Sequence, residues 1–564
     1  MAIPSQATIL LELAQSARLF RDLDGDTCYG TIEMGDRHET WPLRSRGFTH
    51  WLAMQFWASE GKVPRRQGLH DAIAMLEAQA RYQGTIEPVY VRVAPGPGDT
   101  IIVDLADEDW HSVHITPDGW KVTSTSPAKF RRARGMQALP KPARGGSLAQ
   151  LKSFVNVQDE DDWMLLLGWL LAALRPRGPY PTLVLSGEQG SAKSTMARVL
   201  RRLVDPNVAP LRSEPREARD LAISANNCWV LSLDNISHIQ PWLSDALCRL
   251  ATGGGFATRQ LYEDETEKIF AAQRPVVLNA IESVATRPDL IDRSLLIDLP
   301  TIGEDVRRVE SEFWAAFDTA HPMLLGALFD AVSMALRQLP LVRLPVLPRM
   351  ADFATWVTAA EPGLGWSTGA FLHAYTESRG DANVFAVDAS VIGPTLLRCV
   401  ATEVWEGTSQ ELLAYLGEQV GDILRKSREW PKTARALSGD LRRLAPALLG
   451  MGMTVALPDS KHRQGDRSRR RVIRLEPAKV PAQPSALSEP SSPPWAPEAA
   501  VEDPGGQEPN EALNSADGRT EGVDGAGTAP STRNPATNKD ASDVDDMDGR
   551  AGDFASSEAD ALWQ

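Results

Sequence analysis

The chain of 564 residues has only four cysteines, Cys28, Cys228, Cys248 and Cys399, and they lie far apart. That spacing excludes a disulfide-stapled scaffold and a paired-cysteine metal site, and it suits a reduced, cytoplasmic setting. No apolar run reaches the roughly 18 residues that span a bilayer. The longest, 163–174, is shorter and follows Asp159-Glu160-Asp161-Asp162. The opening Met1-Ala2-Ile3-Pro4-Ser5 lacks the basic start and apolar core of a secretory signal. A surplus of positive charge is missing as well. The formal net charge is −15, with 18 acidic and 5 basic residues from Glu476 onward, which leaves 56 and 54 in residues 1–475. The body is therefore nearly neutral, and any affinity for nucleic acid has to come from local patches.

What the sequence does contain is Gly187-Glu188-Gln189-Gly190-Ser191-Ala192-Lys193-Ser194-Thr195, with the apolar segment 182–186 before it and the helix-favouring segment 196–203 after it. Strand, glycine-bearing turn, Lys-Ser and helix make the context of a phosphate-binding P-loop. Backbone N–H groups of the turn and helix start face phosphate, and the helix dipole favours the negative charge. Lys193 reaches the outer phosphates of ATP and the Ser194 hydroxyl ligates Mg2+. Ala192 stands where a second glycine is usual. A methyl group is the smallest intrusion there, and the reading takes it as tolerated.

Farther on, the apolar strand 228–233 ends in Asp234, as a Walker B element requires, and its carboxylate supports the metal beside Ser194. The strand 274–278 ends in Asn279, an amide placed to orient water or sense the terminal phosphate. Arg287 and Arg293 flank Asp292 ahead of the strand 294–299, where an arginine can reach a neighbouring subunit's nucleotide. Each arginine taken alone reads more simply as a surface ion pair.

These motifs in this order, together with Thr252-Gly253-Gly254 and Thr258-Arg259 through Leu261-Tyr262, carry a resemblance. Residues 183–300 resemble the superfamily 3 helicases, most closely the poxvirus-type primase-helicase ATPases of phages and mobile elements, within the AAA+ class. The resemblance implies a ring, usually hexameric, with ATP sites between subunits and an arginine finger near Arg293. It also implies a DNA-contacting hairpin near Arg259 and Lys268. Two departures stand out: the hairpin loop is acidic (Glu263, Asp264, Glu265, Glu267), and Asn235 replaces a second acidic residue that activates water. Both bear on translocation more than on ATP binding.

Around this core the chain divides into five stretches. Residues 1–146 read as an α+β region, with helices over 7–19, 48–59 and 69–82 and short antiparallel strands at 89–93, 100–105, 112–115 and 119–122. Asp104, Asp107, Glu108 and Asp109 read as a solvated strand exit, with a primase-type metal site as the alternative. The basic loop 129–134 reads equally as linker or nucleic-acid contact. The ATPase core occupies 150–300. Residues 301–400 read as a helical lid, with helices at 306–318, 321–339, 350–359 and 369–375. Residues 401–475 read as a winged-helix-like DNA-binding domain. Helices at 409–416 and 434–449 are followed there by a hairpin of 453–457 and 471–475. Its basic residues are Lys432, Arg435, Arg442, Arg443, Lys461, Arg463, Arg467, Arg469 and Arg470. Residues 476–564 are Pro-, Ala-, Gly-, Ser- and Asp-rich and read as a disordered acidic tail.

The fold class is thus α/β, a P-loop AAA+ core with appended domains, and the expected partners are ATP, Mg2+, DNA and further copies of the chain. The favoured function is a ring helicase that replicates a phage or mobile element. The alternative is an ATP-dependent DNA-binding switch that hydrolyses slowly and does not unwind.

Overall fold

The computed structural model describes residues 4–237, 239–254, 256–259, 267–270, 272–280, 287–400, 403–457 and 472–477, with the backbone alone for 256–259 and 267–270. All of them belong to the first of two units, Met1–Gln483 and Pro484–Gln564. The acidic tail and the basic loop residues Lys461, Arg463, Arg467, Arg469 and Arg470 lie outside the described residues.

The first helix, Gln6–Leu13, starts where the Ser5 hydroxyl accepts the Thr8 N–H at 3.2 Å. It ends earlier than the expected 7–19, because Arg18–Arg21 is a strand that pairs antiparallel with Cys28–Met34. A second partner, Arg37–Pro42, follows a Gly35-Asp36 turn in which Gly35 holds φ +63°. A glycine at the first turn position matches the twist of a tight hairpin. Helices Arg46–Glu60 and Arg66–Tyr82 share a core with this sheet through Phe48, Leu52, Phe56, Leu76 and Ala80.

A separate meander follows: Val93–Pro95, Ile101–Asp104, Ser112–Thr116 and Gly119–Thr123, paired antiparallel in chain order. The expected single strand 89–93 is divided, since Val89–Tyr90 pairs instead with Lys129–Phe130. The loop 129–134 is occupied internally. Arg131 donates to the Asn227 side chain at 3.1 Å, and Arg132 forms a 2.7 Å ion pair with buried Asp104.

The central sheet is entirely parallel, in the order Leu231–Ile236, Val276–Ala280, Thr182–Ser186, Ser294–Asp298. These strands are near-continuous apolar runs, as strands covered on both faces must be. On its outer edge Arg212 bridges to Leu233. The helix Glu160–Ala173 is capped by Asp159, whose carboxylate accepts the N–H groups of Asp161 and Asp162 at 2.8 and 3.1 Å. It is apolar nearly all round and buried accordingly.

Two expected helices, 306–318 and 321–339, are one: Glu310–Gln338 runs through Pro322. An interior proline costs about 3 kcal/mol, and burial of Phe317, Leu324, Leu325 and Leu328 on the surrounding turns offsets it. By length and composition this helix can cross a membrane, but its most apolar window is 67% buried, as in a core helix. Likewise the expected 369–375 extends to Ala370–Asp388. The last described part holds three helices, Ser409–Glu418, Asp422–Lys426 and Ala434–Gly450, and a three-stranded sheet ordered Trp405–Thr408, Val472–Pro477, Met453–Ala456. The hairpin of the last two strands is as expected, and the first strand is an addition.

Buried polar contacts fasten the meander to the parallel-sheet body. Arg92, fully buried, donates to Asp205 at 3.1 Å and to the carbonyls of Asp104 and Gln137 at 3.0 and 2.9 Å. Asp205 ends the helix Lys193–Val204 and also accepts the N–H groups of Trp229 and Val230 at 2.9 and 3.1 Å. On the far side Trp120 donates to Asp330 of the long helix at 2.9 Å, and Ser333 donates to the Thr116 carbonyl at 2.6 Å. Removing one member of a buried ion pair leaves the other uncompensated, at about 3–5 kcal/mol. Asp205→Ala is therefore expected to lower unfolding stability by that amount in urea titration. A loss under about 1 kcal/mol would show that the pair does not fasten these parts.

Candidate functional site

The site forms where the parallel strands end. Thr182–Ser186 runs into Gly187, at φ +139°, where a Cβ would stand 2.4 Å from the Leu299 carbonyl oxygen. The loop then turns into the helix Lys193–Val204. Ala192, its N-cap, holds φ +61° and ψ +27°. The expected steric intrusion is thus not the issue. A left-handed backbone is, and it costs a non-glycine residue about 1–2 kcal/mol.

The ammonium of Lys193 folds back over the loop and donates to the carbonyls of Gly187 and Glu188, both at 2.7 Å, and to the Ser191 hydroxyl at 3.2 Å. Partial burial pulls its pKa down, while the Asp298 and Asp234 carboxylates oppose that shift. Among the described residues, the amides of Gly190, Ala192, Lys193, Ser194 and Thr195 donate to no backbone carbonyl. Orphan donors at a helix start, beside a lysine, fit a polyphosphate.

Three strands bring the remaining groups together. The Ser194 hydroxyl donates to Asp234 Oδ1 at 3.0 Å. The Asn279 amide donates to Ser194 Oγ at 2.9 Å and also to Asp234. Because the strand of Asn279 lies between the P-loop strand and the strand of Asp234, its amide spans both. A hydroxyl and a carboxylate side by side fit a hydrated divalent cation. Asn235 is exposed, in a register shift of its strand, at φ +55°. Asparagine is among the residues that adopt this conformation most readily.

The two candidate finger arginines are not brought to the P-loop. Arg287 pairs with Asp245 at 2.9 Å and donates to the Pro241 carbonyl, and Arg293 donates to the Asp289 carbonyl at 2.6 Å. Asp292 between them binds Arg349 and Arg379. Arg259 and Lys268 lie on an antiparallel hairpin, Phe256–Arg259 with Glu267–Phe270, in which Arg259 is opposite Glu267. Lys432, Arg435 and Arg442 are exposed along one segment, while Arg443 pairs with Asp440. In the meander, Asp107, Asp109 and His111 hold ligand atoms within 4.8 Å of one another. His111 is already bonded to Asp107 at 2.6 Å, and Asp104 is bound instead to Arg132.

Residues 147–383 match the family of actinomycete integrative conjugative element replication proteins, RepA, and residues 392–491 match the RepA C-terminal domain. Together these matches cover more than half of the chain. The chain belongs to this family of replication proteins. Among curated proteins none matches it. Among solved structures it is similar to the apo NrS-1 C terminal region, at 9% identity and a TM-score of 0.36 over 84% of this chain and 98% of that one. A second form of that region, residues 305–718, gives 11% and 0.35 over 84% and 98%. The family assignment rests on the sequence matches alone. The P-loop, Asp234 and Asn279 all fall inside the first matched segment, and the exposed basic helix falls inside the second.

Two contributors to the site carry no local motif. The Asn156 amide donates to the carbonyls of Ser191, at 3.1 Å, and Pro300, at 2.6 Å, tying the P-loop to the chain that leaves the last strand. A cavity of about 1040 Å³ opens beside Gly187 and Glu188, lined by Asp159, Asp161, Asp162, Asp298, Glu377 and Asp381 among others. Burial, then its acidic neighbours, pushes the Asp162 carboxyl up to about 7. Its unfolded value is about 3.9, so the native state holds the extra proton between those values and loses stability as pH rises through them. Asp162→Asn is expected to raise the melting temperature clearly more at pH 8 than at pH 5. Equal effects at both pH values would contradict this.

Proposed function

We propose that the chain is an ATP-hydrolysing P-loop protein of the AAA+ class that works on DNA as a ring helicase during replication of its element. The observation that carries the reading is the Ser194–Asp234–Asn279 cluster beside five unpartnered P-loop amides. In it the amides and Lys193 bind the phosphates of ATP, and Ser194 and Asp234 hold Mg2+. The metal supplies charge neutralisation on the phosphate oxygens. Asn279 keeps the Ser194 hydroxyl and the Asp234 carboxylate in register, and its amide orients the attacking water. The carboxylate-lined cavity offers acceptors to the N–H groups of a base. Arg287 or Arg293 serves a neighbouring subunit once its own contacts are exchanged.

The C-terminal part supports DNA delivery. A strand, helices and a two-stranded hairpin follow in the order of a winged helix, and Ala434–Gly450 presents Arg435 and Arg442 to solvent. Those arginines and Lys432 neutralise phosphates, with the hairpin as the wing.

A second reading, an ATP-dependent switch with slow turnover, is favoured by Asn235, which leaves no carboxylate directly after Asp234. One experiment separates the two. ATP hydrolysis is measured with and without single-stranded DNA, for the wild type, for Lys193→Ala and for Arg435→Ala with Arg442→Ala. The motor predicts DNA-stimulated turnover that falls about 10²-fold or more in Lys193→Ala. It also predicts that the double variant needs more DNA for the same stimulation. Tight ATP binding with negligible turnover, with or without DNA, would replace the motor by the switch.

A further inference from the structure

After the last strand of the parallel sheet the chain turns back across the P-loop instead of leaving it. Leu299 N–H donates to the Ser186 carbonyl at 2.9 Å, and Ile302 N–H donates to the Gly190 carbonyl at 3.2 Å. Thr301 Oγ1 lies 3.4 Å from the Glu188 carboxylate, and Asn156 clamps the carbonyls of Ser191 and Pro300. A short turn, Glu304–Val306, then precedes Arg307, in extended backbone at φ −65° and ψ 141°. The crossing segment is thus tied to the P-loop before Arg307 and runs into the long helix after it.

This path sets the Arg307 guanidinium against the P-loop. Its Nη2 is 4.0 Å from where a Cβ on Gly190 would stand. Gly190 holds φ +91°, and its amide is among those without a backbone acceptor. Other arginines of the body are spoken for: Arg198 by Glu310 at 3.0 Å, Arg202 by Asp318 at 2.7 Å, Arg287 by Asp245 at 2.9 Å and Arg308 by the Ser153 carbonyl at 3.3 Å. Arg307 is exposed and, among the described residues, forms no hydrogen bond, ion pair or ring contact. An unpaired cation held beside Gly190, whose amide has no backbone acceptor, serves no packing purpose. Its planar fork matches phosphate oxygens in a way that a lysine does not.

We propose that Arg307 is a second phosphate-binding cation of the nucleotide site, supplied by the same chain and placed over the loop that Lys193 holds from within. The assignment rests on the P-loop reading above. It adds a cation in cis to a site for which Arg287 and Arg293 can serve only in trans.

The test is equilibrium binding of MgATP and of magnesium tripolyphosphate to full-length wild type, Arg307→Ala, Arg307→Lys and Lys193→Ala, each checked by thermal melting. Arg307→Ala is expected to melt like the wild type and to bind both ligands about tenfold to a hundredfold more weakly, the usual reach of one charge-assisted hydrogen bond. Arg307→Lys should recover part of the loss. Wild-type affinity in Arg307→Ala, with binding lost in Lys193→Ala, would overturn the assignment and leave the P-loop reading standing. If the wild type binds neither ligand, both fall. Should Arg307→Ala melt early, the comparison passes to the uncharged Arg307→Gln, where wild-type affinity for both ligands would again overturn the assignment.

Discussion

The hydrogen bonds among Ser194, Asp234 and Asn279 are the constraint on which the site depends. They join three elements that are remote in sequence and meet only because their strands run parallel and end at one edge. A one-residue slip in any strand would turn its polar end residue to the opposite face. The long apolar runs of the strands fix the sheet in the core, and the polar residue at each end is what remains to be presented. The unpartnered amides of the P-loop depend on the same edge, since the helix that bears them starts where the central strand stops.

The surrounding body holds that edge still. Asp205 closes the far end of the P-loop helix by accepting from Arg92 of the N-terminal part and from the backbone ahead of the Asp234 strand. One carboxylate thus links the N-terminal part, the helix and the neighbouring strand. The long helix Glu310–Gln338 takes the meander on one side and covers the core on the other, which explains why its apolar stretch is buried. The N-terminal part is thereby built into the parallel-sheet body, so a shift of the helix Lys193–Val204 has a direct mechanical route into it.

Local motifs made much of the site legible in the sequence. Gly187 through Thr195 carry a loop signature. The strands ending in Asp234 and Asn279 read clearly because a doubly covered strand is a plain apolar run closed by a polar residue. The meaning of Ala192 was not legible, since only its φ shows that the difficulty is backbone conformation and not space. Nor was the position of Arg307 or Asn156, because each depends on a chain crossing with no local signal. In the fold, the expected division between 306–318 and 321–339 is overridden, since Glu310–Gln338 is one helix with Pro322 inside it. The Gly35-Asp36 turn carries a hairpin signal of its own, yet residues 28–42 lie outside every element expected from the sequence.

Ser194 and Asp234 are proposed to form a metal-supported phosphate site. The most direct measurement is calorimetric titration of ATP with and without Mg2+, for wild type and Asp234→Ala. Mg2+ is expected to tighten binding to the wild type, and Asp234→Ala to abolish most of that gain while retaining weak metal-free binding. ATP affinity that is indifferent to Mg2+ in the wild type, or a full Mg2+ gain without Asp234, would contradict it.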